Sequence, residues 1–174
     1  MAELTDLLGH SLAETVAVLD KVNDPITAYA YISTPAPTAM ATAGEWYFFN
    51  STFINMLSSN VSGDTNGIKI DKDGRIEIEW VSNGSSDKAA VISVGIVKNG
   101  TFVTGELTAG SVLDGSVGSY EAGVAASSDR SGSPLSLWAG DVVGTDIISL
   151  VISSSVNLTT FTPTSGATSL QQLT

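Results

Sequence analysis

The chain has 174 residues, enough for one domain with a sizeable core, and its hydrophobic fraction of 43% excludes the intrinsically disordered class. Its 7 basic and 18 acidic residues give a net charge of −11 without a basic cluster, which excludes the nucleic-acid-binding class. The absence of cysteine excludes disulfides and thiolate metal sites, and no apolar stretch is long enough to span a membrane.

The first two dozen residues predict an amphipathic helix. Its apolar positions recur at spacings of four and three and are Leu8, Leu12, Val16, Leu19 and Val22. Ser11 and Glu14 form a capping-box pattern near its start, and the residue before Pro25 ends it. Two interpretations stay open: the helix packs on its own domain, or a few turns form a parallel bundle on an oligomer axis. The start lacks a basic region, so it is not a signal peptide.

The next segment predicts a strand and then an extended connection. In the strand-like run PITAYAYI, Tyr29 and Tyr31 lie two residues apart, so both are expected on one face as contacts with a partner surface. The following run is rich in Pro, Ala and Thr, which predicts an irregular link. We therefore assign residues 1–44 to an N-terminal helix and extended anchor arm, and residues 45–174 to a β-domain.

From residue 45 onwards the pattern is typical of a β-protein. The predicted strands are EWYFFN, GIKI, GRIEIEWVS, AAVISVGIVKN, SYEAGVAAS, PLSLWA, DIISLVISS, LTTFTP and SLQQL. The predicted turns are Asn66-Gly67, Asp73-Gly74, Asn83-Gly84, Asn99-Gly100, Asp114-Gly115 and Gly140-Asp141. Strands in this number, separated by such turns, predict an all-β sandwich, jelly roll or barrel.

Four consecutive aromatic residues, Trp46 to Phe49, open the β-domain. Alternation along a strand buries two of them and exposes two, so Trp46 and Phe48 are candidate contacts in an oligomer. The alternative is a strand that is buried on both faces, in which all four side chains belong to the core.

Glu77 and Glu79 form the arrangement that comes nearest to an acid–base pair. They lie two apart on one predicted strand, so their side chains share a face. Ile76, Ile78 and Trp80 alternate with them and define the buried face. We therefore predict that the two glutamates face solvent, and we interpret them as a solvated sheet face rather than a catalytic pair.

Other candidate chemistry is sparse. His10 is the single histidine and lies in the predicted helix, which favours a surface histidine over a catalyst. Asp71 and Asp73 are weak candidates for calcium ligands, but the distal glutamate of a calcium loop is absent and a hairpin turn explains their spacing. We expect no enzymatic activity, no cofactor and no metal.

Five segments follow one another in an order that occurs in one superfamily of jelly-roll proteins. They are GRIEI (74–78), VISVGIVKNG (91–100), LSLWAGD (135–141), IISLVI (147–152) and ATSLQQL (167–173). In this order they resemble the trimeric jelly-roll domains of the tumour-necrosis-factor and complement-globular-head superfamily, and more closely the versions in phage virion proteins and bacterial collagen-like surface proteins. The resemblance implies an all-β jelly-roll sandwich that assembles as a homotrimer.

The resemblance further implies a structural role in a phage virion. We expect a protein that is made in the host cytoplasm and binds the major capsid protein on the capsid exterior, as a decoration (cement) protein or head fibre, without a nucleic-acid or membrane partner. The expected oligomer or capsid contacts are Leu8, Leu12, Leu19, Val22, Tyr29, Tyr31, Trp46 and Phe48. The alternative is the tip of a receptor-binding fibre that recognises a cell-surface glycan through Trp138, Asp129 and Arg130.

Overall fold

The computed structural model describes residues 24–34, 38–49, 52–122 and 135–173, which form a sandwich of two antiparallel β-sheets. Within these ranges the regular secondary structure consists of strands, so the all-β prediction is confirmed. The predicted N-terminal helix, including His10, lies outside the described residues. None of the described segments contains a helix that is long and apolar enough to cross a membrane.

The strands divide between the two sheets as follows. In the described residues, sheet A contains β1 (Thr27–Thr34), β2 (Thr38–Met40), β4 (Thr52–Ser59), β7 (Gly74–Ser86), β12 (Leu135–Val142) and β14 (Leu158–Gln172). Sheet B contains β3 (Trp46–Phe48), β5 (Val61–Asp64), β6 (Gly67–Ile70), β8 (Ala90–Lys98), β9 (Thr101–Val103), β10 (Glu106–Ala109), β11 (Gly118–Ala122) and β13 (Ile147–Ser154).

Sheet A has the strand order β12-β7-β14-β1-β4, and β2 pairs with the first part of β14. The long strands β7 and β14 form its centre, with Leu170 opposite Ile78 and Ala167 opposite Val81. Pro163 lacks a backbone donor, and the register between β14 and β7 shifts directly after it. This irregularity lets a central strand accommodate a proline.

The core lies between the two sheets and follows the period-two alternation of their strands. Sheet A contributes the fully buried side chains of Ile76, Ile78 and Trp80. Sheet B contributes alternate residues of its central strands, and these are Ile92, Val94, Ile96, Ile148, Leu150 and Ile152. The rings of Phe49 and Trp80 meet edge to face with centroids 5.0 Å apart. Burial of these apolar surfaces is the main stabilising contribution to the sandwich.

A second apolar layer covers the outer side of sheet B. Val97 and Val151 point away from the main core and are nevertheless fully buried. Val97 forms an isolated bridge with Val112, and a Cβ placed on Gly95 would lie 3.3 Å from Cζ3 of Trp46. The chain therefore packs its own loops over this side of the sheet, which explains why β13 reads as a continuous apolar run.

The N-terminal side of the strand map confirms one prediction and corrects another. β1 confirms the predicted strand, which pairs with β14 on one side and with β4 on the other. β2 lies in the run that was predicted to be an irregular link. The sheet therefore begins inside the segment that the sequence analysis assigned to the anchor arm, because β1 and β2 obtain their hydrogen-bond partners from the C-terminal strand.

Two predicted turns are wrong. Asn83-Gly84 lies within β7, because β14 pairs alongside both residues, and a Cβ on Gly84 would overlap the ring of Phe161. A glycine is therefore required here because the strand runs close to the ring of Phe161, and not because the chain turns. Gly140-Asp141 also lies within a strand, since β12 pairs with β7 throughout its length, and the chain turns only after Val142.

Candidate functional site

The outer face of sheet A is set by the alternation of β7. Because Ile76, Ile78 and Trp80 are fully buried against sheet B, the residues between them point away from the core. Glu79 is exposed and Glu77 is half-buried on this outer face. The prediction that the two glutamates lie on the solvent side of the sheet is confirmed.

Apolar residues lie on the β12 side of Glu79 on this face, whereas Ser169 of β14 lies opposite it on the other side. In the register of sheet A, Glu79 lies opposite Leu137 of β12, and Val81 lies between Leu135 of β12 and Ala167 of β14. Side chains at directly opposite positions have Cβ atoms about 4.5–5.5 Å apart. These residues therefore form one continuous surface across three strands.

A shallow depression of about 130 Å³ lies in the middle of this surface. Tyr29 and Leu135, which line it, are 45% and 53% exposed, and the adjacent Leu137 is 41% exposed. Among the described residues that line it, Glu79 carries the charge, and Thr168 and Ser169 are polar. We call the surface formed by Tyr29, Val81, Leu135, Leu137 and Ala167 around Glu79 the apolar face. Exposed apolar side chains that are contiguous in this way are typical of an interface between proteins.

Polar side chains border the apolar face towards the start of β7. Gln171 Nε2 donates a hydrogen bond to Glu77 Oε1 across 3.1 Å. Arg75 lies opposite Asp141 of β12, and both residues are exposed. An apolar centre with a polar border is the usual composition of a protein–protein interface.

Of the predicted contact residues, Tyr29 lies in the apolar face, and its side chain is among those that the structure describes. The backbone of Tyr31 pairs with Ala167 in the same sheet, whereas its side chain lies outside the described atoms. The remaining helical contacts also lie outside the described residues, and they are Leu8, Leu12, Leu19 and Val22.

The structure places Trp46 and Phe48 on the outer side of sheet B, away from the apolar face. Trp46 packs over Gly95, and the ring centroid of Phe48 lies 5.4 Å from that of Phe102. Both side chains are half-buried by contacts within the chain. Their alternates, Tyr47 and Phe49, are buried at 4% and 2% exposure. Trp46 and Phe48 therefore do not join Tyr29 in one surface.

The sequence analysis missed the contribution of β12 to the apolar face. Leu135 and Leu137 point outward from this strand, whereas Trp138 points inward and packs against the edge of the core. A strand that is apolar on both faces signals that both faces are covered. The run PLSLWA carries this signal, but it does not reveal whether the chain itself or another molecule provides the second cover.

The two weak calcium candidates contact different partners. Asp71 Oδ1 accepts a hydrogen bond from Ser62 at 3.1 Å and lies 3.5 Å from Nζ of Lys69. Asp73 Oδ1 accepts a hydrogen bond from the backbone N–H of Gly144 at 2.7 Å. Three or more potential metal-ligating side chains do not come together anywhere in the described part of the chain. Asp71 therefore bonds to side chains of β5 and β6, and Asp73 bonds to the turn before β13.

The residues of the glycan-binding alternative are not brought together in the described structure. Trp138 is half-buried and belongs to the inner side of sheet A. Asp129 and Arg130 lie outside the described residues. An aromatic ring that packs against the core does not offer the open face on which a sugar would stack.

The sandwich is similar to solved structures of tumour-necrosis-factor proteins. The structure of Eiger TNF from S. frugiperda matches with a TM-score of 0.58 at 10% identity, over 87% of this chain and 94% of that chain. Murine APRIL at pH 8.0 matches with a TM-score of 0.54 at 8% identity, over 84% of this chain and 99% of that chain. Murine APRIL at pH 5.0 gives a TM-score of 0.51 at 12% identity, over 86% and 99%. No protein-family model and no curated protein sequence matches the chain. At these identities the likeness establishes the fold alone: the chain is a TNF-like jelly roll, as its sequence predicted.

Proposed function

We propose that the chain is a phage virion structural protein, a homotrimeric jelly roll that binds the capsid exterior as a decoration (cement) protein or short head fibre. The observation that carries the proposal is the apolar face, which offers exposed Tyr29, Leu135 and Leu137 on a regular sheet. Such a surface fits a role in assembly. The low charged fraction of 14% and the resemblance to virion-type jelly rolls support the same role.

Self-association is the first part of the proposal. A stable interface removes about 800 Å² of surface per partner from water. The apolar face spans four strands of sheet A and is bordered by polar residues, so it can form the centre of such an interface. Closed symmetry is the rule for assemblies of identical chains, because it leaves no unpaired copy of the surface. A homotrimer satisfies this rule.

Capsid binding is the second part. The partner is the major capsid protein, and the anchor is the part of the predicted arm, residues 1–44, that precedes the sandwich, namely residues 1–23. A protein that binds only the assembled shell stabilises the shell by mass action, by about 2.7 kcal/mol at a free concentration 100 times the Kd. This adhesive role needs no catalytic group, cofactor, nucleic acid or membrane, and its site of action is the virion exterior.

Sedimentation and capsid binding test the two parts separately. Sedimentation velocity at micromolar concentration is expected to give a mass of three times the chain's 17.9 kDa. The protein should co-sediment with purified capsids of its parent phage and raise their melting temperature. A protein that sediments as a monomer and does not bind capsids would contradict the proposal. Binding to a defined glycan on an array, without capsid binding, would favour the receptor-binding alternative.

A further inference from the structure

Two turns fix Asp24, the first described residue, to one end of the sandwich. Asn60 Nδ2 donates hydrogen bonds to Asp24 Oδ1 at 2.7 Å and to the backbone oxygens of Asp24 and Pro25 at 3.1 Å each. Lys72 Nζ donates to the backbone oxygen of Asp24 at 2.9 Å. The hydrogen bonds from Asn60 and Lys72 hold the pKa of the Asp24 carboxyl below its usual value. The chain that precedes Asp24 therefore joins the sandwich at this end.

The C-terminal strand finishes at the same end. Gln172 Oε1 accepts a hydrogen bond from the backbone N–H of Ile26 at 3.0 Å. The backbone N–H of Leu173 donates to the backbone oxygen of Arg75, at the start of β7, across 2.8 Å. We call this end, which carries Asp24, Asn60, Lys72, Thr145 and Leu173, the terminal end.

In the part of the chain that the structure describes, turns that are bonded to one another lie at the opposite end of the sandwich. They are residues 41–45, 87–89 and 155–157, and most of them are exposed. Lys88 Nζ donates to the backbone oxygen of Asn157 at 2.8 Å, and Asn157 Oδ1 accepts from the backbone N–H of Ala43 at 2.9 Å. We call this the far end. Asp24 and Leu173, the first and last described residues, both lie at the terminal end and not here.

The length of a strand separates the two ends. β13 runs from Ile147 at the terminal end to Ser154 at the far end, and eight extended residues span about 25 Å. If residues 1–23 hold the protein to a surface, the far end reaches that surface only when about eight of those residues run extended along the sandwich. No such length is needed when the terminal end faces the surface.

We propose that the terminal end faces the capsid and that the far end faces solvent. This orientation rests on the proposed function, because it takes residues 1–23 as the segment that binds the shell. The hydrogen bonds from Asn60 and Lys72 attach the end of that segment firmly to the sandwich, because Asp24 cannot move without breaking them. The far-end turns are then the surface that the virion presents to its surroundings.

Single cysteines at the two ends test the orientation cleanly, because the chain has no cysteine of its own. Thr145→Cys places a thiol in an exposed turn of the terminal end, and Ala89→Cys places one in an exposed turn of the far end. Each variant is labelled with maleimide–polyethylene glycol, first free and then bound to purified capsids. The gel shift of this chain gives the labelling rate in each state.

Both variants are expected to be labelled at similar rates when free. On capsids, the labelling rate of Thr145→Cys should fall at least about tenfold, whereas that of Ala89→Cys should not change. The reverse pattern, equal protection of both thiols or protection of neither overturns the orientation alone. If the wild-type protein does not bind capsids, the proposed function fails and the orientation falls with it. Val143→Cys and Ala43→Cys give a second pair at the same two ends in case either first variant does not fold.

Discussion

Asn99 Nδ2 donates a hydrogen bond to Asp146 Oδ1 across 2.7 Å, which joins the turn after β8 to the residue before β13. Asn99 Oδ1 in turn accepts from the backbone N–H of Ile147 at 2.8 Å. Asp146 Oδ2 accepts from the backbone N–H of Val143 at 3.0 Å and lies 3.5 Å from Nζ of Lys98. Burial raises the pKa of the Asp146 carboxyl, but these hydrogen bonds and the lysine charge together hold it below its ordinary 3.8.

Asp146→Ala is expected to lower the free energy of unfolding by about 1–3 kcal/mol at neutral pH, because it removes the buried carboxylate that accepts the part-buried hydrogen bonds from Asn99 and Val143. A carboxyl whose pKa is lower in the folded state contributes stability above its unfolded pKa and loses it as the pH falls through the folded pKa. The difference between wild type and variant should therefore shrink below about pH 3.8. Urea unfolding at neutral and acid pH measures this difference in unfolding free energy. A difference that does not change with pH would contradict the lowered pKa of Asp146. Asp114→Ala, in an exposed turn, is the control and should change stability by less than about 0.5 kcal/mol.

Leu137→Asp tests whether the apolar face holds the assembly together. The side chain points outward and is 41% exposed, so the fold of one chain should tolerate the change. A carboxylate in the centre of an interface must be desolvated without a partner, which we expect to weaken association at least about tenfold. Sedimentation velocity over a dilution series measures the effect. Val103→Asp changes a side chain that is 55% exposed on β9 of sheet B and should leave association unchanged. Equal effects of the two substitutions would exclude the apolar face as the interface.

Glu79→Gln should have the opposite effect and tighten the assembly. Glu79 is the charged lining residue of the depression, so covering the apolar face removes a carboxylate from water. The amide has nearly the same shape and a smaller desolvation cost, and we expect association to strengthen about tenfold. Glu77→Gln is the matched control on the same strand face, because Glu77 already accepts a hydrogen bond from Gln171 at the polar border. Weaker association of Glu79→Gln would instead indicate that Glu79 pairs with a cation of the neighbouring copy.

The sequence predicts those features of the fold that local patterns determine. The alternation of Ile76, Ile78 and Trp80 with the two glutamates assigned the side chains of residues 76–80 in β7 to the correct face. Asn99-Gly100 was predicted as a turn, and Asn99 has the positive φ of 57° that such a turn uses. The bond from Asn99 to Asp146 escaped prediction, because 47 residues separate the two positions and no local pattern links them.

Asn83-Gly84 was misassigned for the same reason. Its local chemistry is that of a turn, but the partner strand β14 supplies a ladder at this position. Tertiary pairing overrides a turn preference when a long strand runs alongside. Only the arrangement of the sheet shows that the glycine gives room to Phe161.

The candidate site was only partly predictable. Tyr29 was identified because it lies two residues from Tyr31, so both were expected on one strand face, whereas Leu135 and Leu137 were read as ordinary strand residues. Which apolar side of a strand remains exposed depends on what the rest of the chain packs over it. Trp46 shows this dependence, since it has the sequence signature of an exposed aromatic and is covered by contacts near Gly95 and Val112.

Gly118→Ala tests how the two sheets meet beside the apolar face. A Cβ at Gly118 of β11 would overlap the backbone oxygen of Leu135 and lie 2.8 Å from its carbonyl carbon, so β11 and β12 would have to separate. Overpacking against backbone atoms, which cannot rotate away, is expected to cost about 1–3 kcal/mol in urea unfolding. Gly63→Ala is the matched control, since its Cβ would meet no atom within 4 Å and should leave stability equal or raise it by up to about 1 kcal/mol. Because Leu135 carries the apolar face, Gly118→Ala should also weaken association, whereas Gly63→Ala should not. Equal stability and equal association of the two variants would mean that β11 does not support the edge of sheet A on which the apolar face depends.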